Sequence, residues 1–88
     1  MPRYLVERTF TEHNTLPGPE QDERARKAFF KNNAQDGVIW VHSYIAPDGK
    51  KSFCIYEAPN PEAIRRAALR NRLPVDRISE VSILDPHL

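Results

Sequence analysis

Three side chains of this sequence are candidates for binding a transition metal or for carrying out acid–base chemistry. They are the carboxylate of Glu7, the imidazole of His42 and the thiol of Cys54. Together they could bind a borderline divalent metal such as Zn²⁺ or Ni²⁺. Alternatively, the imidazole could lower the pKa of the thiol and make it a nucleophile. Either chemistry requires the three residues to lie close together, so the elements that carry them decide the question.

Each of these residues lies in a segment with the composition of a β-strand. The predicted strands are residues 3–10, 38–46, 52–57 and 78–84. They are rich in β-branched and aromatic residues. Two helices are predicted between them, one beginning at Pro19 and one capped by Asn60. This βαββαβ order predicts a ferredoxin-like α+β fold, in which a four-stranded antiparallel sheet carries both helices on one face and leaves the other face open.

Side-chain alternation assigns the strand residues to the two faces of the predicted sheet. The more apolar set, expected under the helices, is Val6, Ile39, Val41, Ile45, Phe53, Ile55, Val81 and Ile83. The opposite set, expected on the open face, is Leu5, Glu7, Thr9, Trp40, His42, Tyr44, Ser52, Cys54, Tyr56, Glu80 and Ser82. The open face is therefore predicted to be polar and aromatic, and to carry all three candidate metal ligands.

The turn between the second and third strands determines which of their residues face each other. If Pro47-Asp48-Gly49 forms a three-residue loop, His42 faces Cys54. A two-residue Asp48-Gly49 turn would shift the pairing by one and place His42 beside Ile55. The three-residue loop is favoured because it puts opposed residues on the same face that alternation predicts. In the usual strand order, Glu7 would lie near this pair.

Aromatic residues surround the polar candidates on the predicted open face. The three-residue loop also pairs Trp40 with Tyr56, and Tyr44 lies on the same strand as Trp40. These three aromatic residues are candidate ligand-binding residues or interface anchors. Because monomers rarely expose an apolar patch of this size, we expect a homodimer.

Composition limits the function further. The 88 residues form one domain, residues 1–88, and their formal net charge of +1 argues against a dedicated nucleic-acid binder. The single cysteine excludes an intramolecular disulfide and fits a reducing compartment. The sequence shows neither a signal-peptide pattern nor an apolar run of membrane-spanning length, so a cytoplasmic location without membrane association is expected.

Several short segments resemble a family of domains of unknown function, numbered 4242, that includes a small nickel-binding protein of streptomycetes. The segments are residues 6–8, 43–44, 53–59, 61–64 and 73–78. The resemblance implies a ferredoxin-like fold, a homodimer, and nickel or another divalent transition metal as the cofactor. It adds Glu57, in the stretch Cys54-x-x-Glu57-Ala58-Pro59, to the candidate ligand-binding residues. The nickel-binding branch is rich in histidine on the first strand, where this chain has Glu7-Arg8, so the resemblance transfers no metal ligand.

These observations leave two classes of function open. The first is a small binding protein that holds a transition metal or a small ligand on the open face within a homodimer. The alternative is a small enzyme of the dimeric α+β-barrel type, in which His42 or Glu7 transfers a proton beside aromatic walls. A third possibility is that the open face serves only as a dimer interface.

Overall fold

Four strands and two helices follow the chain in the predicted βαββαβ order. The computed structural model describes residues 1–11 and 23–87, except for the side chain of Ala25. The elements are β1 (Arg3–Thr9), α1 (Glu23–Gln35), β2 (Ile39–Ile45), β3 (Lys51–Glu57), α2 (Pro61–Asn71) and β4 (Arg77–Val81). The predicted helix start at Pro19 lies outside the described residues. The ferredoxin-like α+β fold is confirmed.

The strands form one antiparallel sheet in the order β2-β3-β1-β4. Even-numbered residues of β1 and β3, such as Val6 and Cys54, are buried against the helices. We call this side of the sheet the covered face and the other side the open face. Residues directly opposite each other on neighbouring strands lie on the same face. The pairings of β4 with β1 and of β2 with β3 therefore show on which face each residue of β4 and β2 lies.

Helix α2 begins and packs as its sequence predicts. The side chain of Asn60 accepts a hydrogen bond of 2.9 Å from the backbone N–H of Ala63, and Pro61 occupies the first turn. The N-cap bond and the fixed φ of proline both favour a helix start. The residues buried under the helix are Ala63, Ile64, Ala67 and Ala68, which recur at the three- and four-residue spacing of one helical face.

Charged side chains hold the end of α1 against α2. The carboxylate of Asp36 accepts from Arg66 at 3.1 Å and from Arg70 at 3.0 Å. Burial by itself would raise the pKa of Asp36, but the hydrogen bonds and positive charges of Arg70 and Arg66 outweigh it and lower the pKa. Two arginines of α2 therefore pair with α1 rather than lying free on a solvated face.

Helix α2 ends in a left-handed residue that is not glycine. Arg72 has φ 57° and ψ 43° at the C-cap. Non-glycine residues adopt this conformation at a cost of about 1–2 kcal/mol, whereas glycine is the usual residue at such helix ends. We expect Arg72→Gly to raise the free energy of unfolding by about 0.5–1 kcal/mol in urea denaturation, after the entropic cost of glycine is subtracted. Arg65→Gly, at an exposed position within α2, is the control and should lower it by about 1 kcal/mol. A loss of stability in Arg72→Gly would contradict the backbone assignment.

The β2–β3 turn is one residue longer than predicted. The backbone N–H of Ala46 donates to Lys51 O at 2.9 Å, which closes a loop over residues 47–50. Inside it, Gly49 N–H donates to Ala46 O at 2.8 Å, and Gly49 has φ +74°. The side chain of Asp48 also accepts from Lys50 N–H. A type I turn within a four-residue loop satisfies these bonds, so the predicted three-residue loop was wrong.

The longer loop changes the pairing of β2 with β3. His42 lies opposite Ile55 and Tyr44 opposite Phe53. A β-bulge between Trp40 and His42 then inserts one extra residue. Beyond the bulge Trp40 pairs with Tyr56, so the predicted Trp40–Tyr56 pairing is correct while the predicted His42–Cys54 pairing is wrong.

The predicted faces were correct for β1 and for His42 and Tyr44, and wrong for most of the other strand residues. The residues that lie on the covered face instead of the open face are Trp40, Ser52, Cys54, Tyr56 and Glu80. Residues placed on the open face instead of the covered face are Ile39, Phe53, Ile55 and Val81. Val41 is the extra residue of the bulge and is exposed, and Ile45 remains exposed at the end of an edge strand. The prediction failed because both faces of this sheet carry apolar residues, so apolarity alone could not identify the covered one.

Candidate functional site

The open face of the sheet contains a cleft of about 400 Å³. Its apolar wall consists of Leu5, Ile55, Val81 and Ile83. Its polar lining consists of Arg3, His42, Tyr44 and Ser82. The cleft crosses the sheet because Leu5 pairs with Ile55, and Ile55 pairs with His42 on the next strand.

Two aromatic side chains on β2 form one end of the cleft. The rings of His42 and Tyr44 are 5.1 Å apart at their centroids and nearly perpendicular, at 88°. Such edge-to-face contacts hold both rings in a defined orientation. Both residues are exposed, and 62% of Tyr44 is accessible to solvent. The cleft therefore presents an imidazole and a phenol to any ligand that enters it.

Arg3 and Glu57 form an ion pair on the same face. Arg3 Nη2 lies 3.1 Å from Glu57 Oε1, and both side chains are about one-third exposed. Because Arg3 lines the cleft, Glu57 lies beside it and takes up part of the positive charge of Arg3. An exposed pair of this kind adds little to stability, so its main effect is to fix the position of the guanidinium.

The three predicted metal ligands are not brought together. Glu7 and His42 are on the open face, whereas Cys54 is completely buried on the covered face. Among residues 1–11 and 23–87, no group of three or more His, Cys, Asp or Glu side chains is close enough to hold a metal ion. The predicted juxtaposition of Glu7, His42 and Cys54 was wrong because the β2–β3 register turns His42 away from the thiol.

The two candidate proton-transfer groups, Glu7 and His42, lie on the same face of the sheet but are not cross-strand neighbours. Glu7 lies opposite Phe53 and Arg77, while His42 lies opposite Ile55. Glu7 is not part of the cleft lining. Glu7 and His42 therefore do not flank one reaction centre.

Trp40 and Tyr56, two of the four predicted ligand-binding residues, lie under the helices. Trp40 packs against Phe29 with ring centroids 5.0 Å apart, and its indole N–H donates to Ser43 Oγ at 2.8 Å. Tyr56 is 2% exposed, and its hydroxyl accepts from Arg8 at 3.2 Å. Both side chains pack in or against the core, away from the cleft that contains Tyr44.

Sequence reasoning missed four residues of the cleft, namely Arg3, Ile55, Val81 and Ile83. Three of them are aliphatic and had been assigned to the core. Arg3 belongs to the same alternating set as Leu5 and Glu7, so the β1 pattern contained the signal that would have identified it. The signal for Ile55 was the alternative register, with a two-residue Asp48-Gly49 turn, which places His42 beside Ile55; the structure has that pairing.

The burial of Cys54 predicts an unreactive thiol. Its side chain is 0% exposed and lies 3.6 Å from Ser52 Oγ, with no imidazole from His42 at its side. We expect labelling of the native protein by a thiol reagent to be slow and limited by unfolding, and unchanged by His42→Ala. Labelling rates measured with and without urea test this. Fast native labelling that slows in His42→Ala would contradict the register.

Comparison with known proteins places the fold in a family. Residues 4–81 match the family described as nickel responsive protein, SCO4226-like. The chain belongs to this family. The crystal structure of SCO4226 from Streptomyces coelicolor A3(2) is similar, with a TM-score of 0.70 at 19% sequence identity. The similarity covers 94% of this chain and 99% of that one, and at this identity it supports the fold alone. No curated protein matches the chain.

Helices α1 and α2 have 13 and 11 residues. No helix within residues 1–11 and 23–87 is long and apolar enough to cross a bilayer.

Proposed function

We propose that this chain is a binding protein that acts as a homodimer and holds a small ligand against its open face. The observation that carries the proposal is the cleft of about 400 Å³, which combines an apolar wall with an imidazole, a phenol and a hydroxyl. Pockets for small ligands typically have volumes of about 300–1,000 Å³ and combine apolar walls with a few polar groups. The cleft fits that description in both size and lining.

Exposed apolar side chains support the dimer. Ile39 and Tyr44 of the edge strand β2 are 51% and 62% exposed, and Ile83, which lines the cleft just after the opposite edge strand β4, is 67% exposed. Exposed apolar side chains on one face of a sheet can mark an interaction site. A second copy seated on the open face would cover it and close the cleft from the solvent side.

The lining indicates the chemistry of a small organic ligand. An apolar body would contact Leu5 and Ile55 on the two central strands and Val81 on the edge strand β4. A polar group would hydrogen-bond to His42, Tyr44 or Ser82 at the periphery. Imidazole and hydroxyl groups can both donate and accept, so the ligand's polar group can be either a donor or an acceptor.

The family description makes Ni²⁺ a second candidate ligand. Imidazole suits nickel, and His42 places one imidazole in the cleft. The described residues of one copy do not fit a complete nickel site, because they contain no cluster of three suitable donors. With the described residues alone, a nickel ion would need donors from both copies, with His42 contributed by each.

Native mass spectrometry of untagged protein tests the proposal. We expect a mass of twice 10.2 kDa, plus the mass of a retained ligand. A ligand-free species of 10.2 kDa at low micromolar concentration would overturn it.

The same measurement with added Ni²⁺ tests the second candidate. Nickel should bind to the dimer and be lost in His42→Ala, while His87→Ala, at the C-terminal end, serves as the control and should retain it. Equal nickel binding by His42→Ala and the native protein would exclude His42 as a ligand.

A further inference from the structure

Arg3 places a positive charge in the lining of the open-face cleft. Its side chain is about one-third exposed, so a ligand in the cleft can reach the guanidinium. The ion pair with Glu57 holds this group in place through Nη2, which lies 3.1 Å from Oε1. A guanidinium has five N–H donors, so the bond to Glu57 leaves donors that can also bind a ligand.

The charge that the cleft presents is positive. Arg3 belongs to the lining, whereas its partner Glu57 is not among the described lining residues. The other polar groups of the lining are the imidazole of His42, the phenol of Tyr44 and the hydroxyl of Ser82. Each of them can donate a hydrogen bond. The end of the cleft at Arg3 therefore favours an anion, and a carboxylate matches the planar guanidinium with two parallel hydrogen bonds.

The strand order separates this charge from the two rings at the other end of the cleft. Arg3 lies on β1, His42 and Tyr44 lie on β2, and β3 runs between them. Neighbouring strands are about 4.8 Å apart, so these two ends of the cleft are separated by about 10 Å across the sheet. Leu5 on β1 and Ile55 on β3 form the apolar surface between them. A ligand that spans the cleft needs a charged end and an apolar body.

We infer that the cleft binds an amphipathic carboxylic acid, with its carboxylate on Arg3 and its hydrocarbon body over Leu5 and Ile55. The far end of the ligand lies beside His42 and Tyr44, where a hydroxyl or carbonyl group can form a hydrogen bond. The inference rests on the proposed function, because it names the class of ligand for the same cleft. Charge-assisted hydrogen bonds are about twice as strong as neutral ones, so the carboxylate determines which of several apolar ligands binds best.

Titration with three ligands that share one alkyl chain tests the inference. Octanoate, 1-octanol and octylamine are added at neutral pH to the ¹⁵N-labelled full chain, and binding is followed by the amide chemical shifts. We expect octanoate to bind about tenfold more tightly than octanol, because its carboxylate forms hydrogen bonds to a charged group. Octylamine should bind most weakly, because Arg3 repels its ammonium group.

Variants assign the preference for octanoate to the guanidinium. In Arg3→Gln, octanoate should bind no more tightly than octanol, while the affinity for octanol stays unchanged. In Glu57→Gln, which removes a competing carboxylate, octanoate should bind more tightly than to the native protein. The exposed Arg3–Glu57 pair adds little to stability, so both variants should fold. Arg77→Gln is the control, at an exposed arginine of the open face outside the cleft lining, and should keep the preference.

The outcomes separate this inference from the proposed function. If octanol binds as tightly as octanoate, the carboxylate assignment is wrong and the cleft is still a ligand site. An equal loss of octanoate and octanol binding in Arg3→Gln would also overturn the assignment, because Arg3 would then only shape the cleft. If none of the three ligands shifts the resonances of the cleft residues, the inference fails, and the native mass spectrum then decides whether the proposed function fails with it.

Discussion

Tyr56→Ala is expected to lower the free energy of unfolding by about 3–5 kcal/mol, the range for removing a large buried aromatic side chain. The ring is 2% exposed in the core cluster with Val6 and Ile64. The substitution also removes the hydroxyl that accepts from Arg8, which leaves another buried donor without a partner. Denaturation in urea, followed by circular dichroism, measures the change.

Tyr44→Ala is the matched control because it makes the same truncation on the open face. Tyr44 is 62% exposed, so its loss should change stability by less than about 1 kcal/mol when the protein is diluted to the monomer. If the free energy of unfolding falls equally in the two variants, or falls more in Tyr44→Ala, the helices would have to cover the face that carries Tyr44.

Ile55→Asp is expected to abolish the homodimer while the chain still folds. Ile55 lies in the middle of the open face, paired with Leu5 on one side and His42 on the other. An unpaired carboxylate buried between two copies costs about 3–5 kcal/mol. Since each 1.4 kcal/mol is a factor of ten, the dimer should weaken by about two to four orders of magnitude. Light scattering should then give the 10.2 kDa mass instead of twice that value.

Leu69→Asp provides the control for a new charge on an exposed aliphatic position. Leu69 is 79% exposed on α2, on the opposite side of the molecule from the open face. Its variant should remain a dimer. Dissociation of Leu69→Asp, with Ile55→Asp still dimeric, would place the interface on the helices.

The sequence was sufficient to predict the order and type of the elements. Local signals determined them, such as the Asn60 cap, Pro61 and the buried stripe around Ile64, and the structure retains each one. These signals act within a few residues of the chain. They do not depend on how one strand lies against another.

The faces could not be predicted with the same success because they depend on two local irregularities. The loop between β2 and β3 contains four residues, 47–50, instead of the predicted three. The bulge between Trp40 and His42 gives β2 one residue that has no partner on β3. Each shifts the pairing by a single residue, which moves a side chain to the other face. The loop alone separated His42 from Cys54 and brought it to Ile55, because the bulge comes only beyond His42.

Polar residues inside the core were a second source of error. Arg8 and Ser52 are buried, while Ile55 and Phe53 line the open face. Alternation identifies the two faces of a strand, but the rule that the apolar set is covered fails when the open face is itself apolar. The exposed apolar face is also the feature on which the proposed function rests.

A filtered nuclear Overhauser experiment tests this proposal most directly. In a mixture of isotopically labelled and unlabelled protein, it detects only contacts between two copies. We predict contacts from the methyl groups of Ile55 and Val81 in one copy to aromatic protons of the open face, including Tyr44, in the other. Intermolecular contacts confined to α2, for example at Leu69, or their absence at concentrations where light scattering gives a dimer, would contradict the account.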